Sequence, residues 1–390
     1  MKVIYLSRFN SYHRTTELYE PGAEGFFTFG MGQFIAREYI NRQSKDFEFE
    51  NWRADKRISK YMEKDVDQLK CRIYPSKNLL FIGEFSFQLF RELRKMSRTE
   101  NVVIHVMSVH VPVMYLYVLF TGKSNLIATH LGGANPYWYL KERKGFLSKL
   151  KSFLYYQLEN RIFLRRFNHL ITPCRDEAQY FDRIRVSNSH MPIFGISRSE
   201  IFNIESKEEA RMKLGLPTDK KILLQVGRAL EARGFDWIMN MIEHYKDKEE
   251  YILLFAGISK EDEYYEALLK VGAQMTPYLK HTDLPDYYNA ADLLYYLPHG
   301  KMDLAFAGTS YVPLEAMLCG TPVVSTTFHH FRDEDILEVS RIPKRYEDVI
   351  PMIEELLSSD IQRQRVREIV LRNYKWQVIL DKLTHIYKGK

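Results

Sequence analysis

Arg228 and Arg233 lie five positions apart in LLQVGRALEARGF, each beside a glycine, and that arrangement has the chemistry to hold a diphosphate. Two guanidinium groups in a low-dielectric crevice can stand beside a diphosphate and offset its negative charge. Taken alone, paired arginines near a turn are more often solvated surface, where such side chains usually lie. A second segment, GTSYVPLEAMLCGTPVVS from Gly308 to Ser325, lays out a small-residue turn, a short helix, a Gly-Thr-Pro break and a Val-Val strand. Gly308, Thr309 and Ser310 would expose backbone N–H groups at a helix start, where the dipole favours an anion, and Glu315 follows further along the helix. Diphosphate and sugar hydroxyls suit that set. An ordinary helix-to-strand connection, with Gly320 as C-cap and Pro322 as stop, accounts for the same residues.

His130, in THLGG at the end of an apolar run, falls where strand C-termini open into the crevice of a doubly wound sheet. Gly132 and Gly133 behind it let a backbone approach a ligand, whereas His105 and His110 read as core or structural. Gly30-x-Gly32 before QFIAREYINR is a candidate phosphate-facing glycine loop, with Gly22 and Gly25 as rivals. Asp333-Glu334-Asp335 sits in a charged loop without an apolar strand end to aim two carboxylates at one metal, so a solvated loop is the reading. Cys71, Cys174 and Cys319 have no C-x-x-C spacing, which disfavours both disulfide frameworks and zinc.

The elements that must position these residues alternate. VIYLS, FEFENW, KNLLFIG, VVIHVM, NLIATHLGG and HLITP read as strands separated by helical stretches, implying a parallel sheet. VSNSHMPIFGISRSEIF reads as a linker. A second alternation then runs through KILLQVG, DWIMNMIEHY, YILLFAG, which closes on Gly257, EDEYYEALLKVG and LPDYYNAADLLYYLP, and ends in a helical tail. A chain of 390 residues with 45% apolar content suits two α/β domains, expected at 1–190 and 191–370, with 371–390 as a helix packing back on the first.

The MKVIYLSRFN start is too short for a signal peptide or membrane span, and the longest apolar run, VHVPVMYLYVLF, reads as a buried helix. A cytoplasmic setting is expected. The net charge of +6 concentrates between Lys141 and Arg166, where Lys144, Lys149 and Lys151 are interleaved with aromatics. Such a helix suits an anionic membrane surface or a lipid-linked acceptor; it also suits a surface helix whose cationic stems cover core aromatics. No nucleic-acid-binding signature accompanies it.

In order and spacing, LLQVGRALEARGFDWIMNMI, YILLFAG, LPDYYNAADLLYYLP and GTSYVPLEAMLCGTPVVS resemble the C-terminal half of retaining GT-B glycosyltransferases of family 4, and NVVIHVMSVH with NLIATHLGG resembles its N-terminal half. The resemblance implies two Rossmann-like doubly wound domains facing a central cleft. It further implies a nucleotide diphosphate sugar bound mainly by the second domain, a saccharide or lipid-linked acceptor by the first, and no metal or other cofactor. Carried over by position, Arg228 and Arg233 hold the diphosphate with Gly227, Gly308 and Thr309, Glu315 holds the ribose hydroxyls, and His130 lies near the reacting centre. Arg233 stands where lysine is usual. Ala307 replaces the first glutamate of the Glu-x7-Glu motif, so a nucleotide-sugar-binding protein without transfer, or a phosphorylase or epimerase on the same fold, are the alternative readings.

Overall fold

The computed structural model describes residues 1–7, 20–21, 24–27, 31–42, 46–79, 83–98, 101–107, 112–119, 121, 125–130, 145–173, 175–193, 195, 201–277, 279–298, 311–326 and 336–389. They form two compact units, Met1–Phe194 with Ile379–Lys390, and Gly195–Val378.

The first unit carries β1 (Lys2–Leu6), β2 (Glu48–Asp55), β3 (Met62–Val66), β4 (Leu69–Pro75), β5 (Lys77–Leu79), β6 (Gly83–Phe85), β7 (Val102–Met107), β8 (Asn125–Thr129), β9 (His169–Thr172) and β10 (Asn188–His190). Its main sheet runs β10-β9-β8-β7-β1-β2-β4-β3, parallel except for the β3–β4 pair. Val3 to Leu6 are buried on both faces, which is why the central strand reads as an unbroken apolar run. Helix Met31–Asn41 lays Ile35, Ala36 and Tyr39 on the core at helical spacing.

Two sequence expectations are corrected here, and one hairpin was not foreseen. KNLLFIG contributes β5 and β6, a separate antiparallel pair, instead of a strand of the parallel sheet. The start of the expected linker, around Asn188–His190, is the edge strand β10 paired with β9. The β3–β4 hairpin had no expectation at all. Asp67 and Gln68, at φ +50° and +65°, make its two-residue turn with both central residues left-handed, a geometry that Asn-Gly or Asp-Gly normally announces.

The second unit carries β11 (Lys221–Val226), β12 (Tyr251–Ala256), β13 (Gln274–Thr276), β14 (Leu293–Tyr296), β15 (Val323–Ser325) and β16 (Ser340–Arg341), all parallel in the order β13-β12-β11-β14-β15-β16. That is the doubly wound order, with its switch point between β11 and β14. Both faces are covered: Ile222, Leu224 and Val226 join one core with Tyr288, Ala316 and Val366, while Leu223 joins the other with Phe235, Ile238 and Ile353.

The final helix, Trp376–Tyr387, continues into the segment grouped with the first unit from Ile379 on. There the Tyr387 hydroxyl meets Tyr5 at 3.0 Å and His105 Nδ1 at 2.8 Å, and Tyr39 donates to the Leu380 carbonyl at 2.8 Å.

Candidate functional site

In an open doubly wound sheet the crevice for a ligand lies beyond the strand C-termini at the switch point, which in the second unit is the edge formed by the ends of β11 and β14. Gly227 follows β11 and Gly257 follows β12, at φ +114° and +84°. A side chain on Gly227 would meet none of the described residues within 4 Å, so this glycine answers a backbone turn.

Arg228 comes next, and its Nε donates to Asp262 Oδ1 at 2.8 Å. The other oxygen of Asp262 accepts the backbone N–H groups of Ala229 at 2.9 Å and Ser259 at 3.0 Å. Burial pushes the Asp262 carboxyl up, but those two N–H bonds and the Arg228 guanidinium outweigh it, and its pKa ends below the usual aspartate value. The Asp262 side chain is fully buried while that of Arg228 is 54% exposed. A cation is thus fixed at its root and presented to solvent.

Arg233 closes the 3-10 turn Glu231–Arg233. It donates to the Tyr296 hydroxyl and lies 5.7 Å from the centre of that ring, at the end of β14. Burial lowers its pKa. The next residue, Gly234, has φ +79°, and a Cβ there would sit 2.0 Å from the Leu297 carbonyl oxygen, so only glycine lets the turn press onto the strand end. Both arginines therefore stand at the switch-point edge, one after β11 and one against β14.

Glu315 lies in helix Tyr311–Leu318 and is buried. Its carboxylate oxygens meet His281 Nε2 at 2.8 Å and the Tyr288 hydroxyl at 3.0 Å. The Tyr288 pKa is raised, first by burial and then by the neighbouring Glu315 charge. Each carboxylate oxygen has a further lone pair, so a diol could join only as an additional donor.

In the first unit His130 follows β8 and is fully buried. Its Nδ1 lies 2.8 Å from Glu177 Oε2, which also accepts from Thr172 Oγ1 at 3.0 Å, and its ring meets Phe181 edge-on at 5.2 Å. A carboxylate on one ring nitrogen fixes the tautomer and orientation of the imidazole. Gly32 sits in the first turn of its helix, where a Cβ would fall 2.4 Å from Tyr5 Cγ, so its bareness serves helix-to-strand packing. Beside it the Gln33 side-chain amide is buried without a hydrogen-bond partner among the described residues.

Gly30, Lys144, Ala307, Gly308, Thr309, Ser310 and Asp333 to Asp335 lie outside the described residues, as does the side chain of Lys151. Lys149 is exposed on helix Phe146–Leu158. Asp262, Glu177, His281 and Tyr288 were not singled out from the sequence. The acidic run KEDE soon after the Gly257 turn was the available signal for Asp262; nothing local marked the other three. No cluster of three metal-ligating side chains occurs among the described residues, and no helix there is long and apolar enough to cross a membrane.

Solved structures share this architecture over the whole chain. A glycosyltransferase from Rickettsia africae ESF-5 superposes with a TM-score of 0.64 at 13% identity, covering 100% of this chain and 98% of its own. HepE of Anabaena, crystallised with UDP-glucose, superposes with a TM-score of 0.59 at 12% identity, covering 100% of both chains. The fold is GT-B. Within it, residues 206–370, nearly all of the second unit, match the family model described as Glycosyl transferases group 1. The lipopolysaccharide core biosynthesis mannosyltransferase LpsB of Rhizobium meliloti (strain 1021) is 29% identical over 183 residues, 45% of this chain and 49% of LpsB. The chain spans about half or less of the curated relatives it matches, from 29% to 56% of their lengths.

Proposed function

We propose that the protein is a group 1 glycosyltransferase of the retaining, family 4 kind. It moves a sugar from a nucleotide diphosphate sugar to an acceptor hydroxyl in surface polysaccharide or glycolipid assembly. The observation that carries this reading is the pair of arginines at the switch-point edge of the second unit, inside the segment that matches the glycosyl transferases group 1 model. Arg228, rooted on Asp262, and Arg233, rooted on Tyr296, are the charges that stabilise the departing diphosphate. Preorganisation matters here because a cation already held in place costs no reorganisation as the bond breaks. With two cations in that position the transfer proceeds without a divalent metal, and the departing phosphate oxygen accepts the acceptor proton.

The test is a thermal-shift panel of nucleotide sugars that includes UDP-glucose, followed by transfer assays with and without EDTA and NMR of the product anomer. A donor at 100 times its dissociation constant adds about 2.7 kcal/mol of stability. Release of nucleoside diphosphate with retention, unchanged by EDTA, is the expected result. Loss of transfer in EDTA with recovery on adding manganese would overturn the metal-independent mechanism. Ala307, where the family motif has glutamate, supports a second reading, a nucleotide-sugar-binding protein without transfer. Donor binding without turnover for any acceptor selects it.

A further inference from the structure

We propose that helix Phe146–Leu158 and the turn after it form a docking surface for an anionic lipid bilayer. Of the large apolar side chains that are exposed among the described residues, half fall in this one segment: Phe146 (78%), Leu147 (79%), Leu150, Phe153, Leu154, Leu158 and Ile162. At ~100° per residue the first six occupy one arc of about 140°. An amphipathic helix normally turns such an arc to the core. Here the turns that follow the helix are held down instead. Glu159 is buried and accepts the Tyr115 hydroxyl, Phe163 stacks on the Tyr115 ring at 4.4 Å between centres, and Leu164 is fully buried. The π-helical turn Glu159–Phe163 and the 3-10 turn Leu164–Arg166 carry these anchors, while the apolar side chains of the helix before them stay exposed.

Charge selects the occupant. From Phe146 to Phe167 the sequence contains Lys149, Lys151, Arg161, Arg165 and Arg166, and its one carboxylate is the buried Glu159. Exposed apolar side chains flanked by cations match an interface whose headgroups are negative and whose interior is hydrocarbon. A second copy of the chain fits poorly, because a two-fold contact through this face would bring like charges together.

The docking does not depend on sugar transfer, since vesicle flotation needs neither donor nor acceptor. A chain that floats without transferring sugar loses only the transfer reading, and one that transfers without floating loses only the docking. The purified full chain should float at low salt with vesicles of equal phosphatidylglycerol and phosphatidylcholine, and not with phosphatidylcholine alone. The double variant Leu147→Glu/Leu154→Glu should reduce the bound fraction by about tenfold or more, with an unchanged thermal midpoint because both side chains are exposed. Salt at 1 M, where the Debye length is about 3 Å, should reduce it similarly. Phe146→Trp supplies a check that keeps the surface apolar: its emission should shift to the blue on adding the anionic vesicles. Failure of the wild type to float at low salt, equal binding to neutral vesicles, or a wild-type dimer that the double variant disperses would each overturn the proposal.

Discussion

His130 in the first unit and Arg228 in the second occupy matching places in their sheets. Each lies just past a parallel strand, and each is tied to a carboxylate that follows the neighbouring strand: Glu177 after β9, Asp262 after β12. The outcomes differ in exposure. His130 is fully buried, whereas the Arg228 side chain is 54% exposed above a buried Asp262. One device thus serves two ends. Sealed from water, the pair fixes the orientation of a ring; opened to water, it aims a charge that a ligand can meet.

The largest effect expected from this contrast is on the open side. Arg228→Ala should lower kcat for sugar transfer by about 100- to 1,000-fold while moving the unfolding free energy by less than about 0.5 kcal/mol. Steady-state kinetics beside urea unfolding checks both; unchanged kcat/KM would remove Arg228 from the site. On the sealed side the reverse is expected. Glu177→Ala removes the buried carboxylate that His130 Nδ1 and Thr172 Oγ1 meet and should cost about 3 kcal/mol of stability, read as a lower urea midpoint. An unchanged midpoint would mean that the two carboxylates play equivalent roles and that the contrast is empty.

The pH response sharpens the same comparison. Burial holds His105 down at about 3 from an ordinary 6.5, with its nitrogens taken by Tyr387 and Thr129. Below 6.5 the unfolded chain binds a proton that the folded one refuses. Stability should therefore fall as pH drops from 6.5 toward 3, by up to about 1.4 kcal/mol per pH unit from this group. Thermal unfolding between pH 7 and 5 should show that slope in the wild type and a shallower one in His105→Asn.

Asp262 gives the smaller and more acidic effect. Its folded pKa is depressed, so its contribution is complete above the unfolded value of 3.8 and is lost as pH falls through the lower folded value. Asp262→Asn should cost about 1 kcal/mol near neutrality, since two backbone N–H groups lose a charged acceptor while the exposed Arg228 arm adds little. Acid titration below pH 4 should lack the step that the wild type shows. A variant with the full wild-type acid limb would place that titration elsewhere.

The sequence alone determined a good deal. The apolar runs of β1, β7, β11 and β12 are legible because a parallel strand covered on both faces must be apolar throughout. Gly227 and Gly257 are legible as strand-end glycines because few other residues accept φ near +100°. Short-range pattern failed where the pairing partner decided the outcome. KNLLFIG is apolar enough for a parallel strand but forms its own hairpin, and Asn188–His190 is polar yet pairs with β9. The partners at the site were decided by tertiary structure as well. Asp262 lies 34 residues from Arg228, Glu177 lies 47 from His130, and Tyr288 lies 27 from Glu315. A carboxylate at such a distance carries no local mark of what it will meet. The sheet order brings the end of β12 beside β11 and the end of β9 beside β8, and the same packing leaves one of the two pairs in water and closes the other. Exposure is a property of the assembled surface, and for that reason the apolar arc on helix Phe146–Leu158 could be located from its residues but its direction only from the fold.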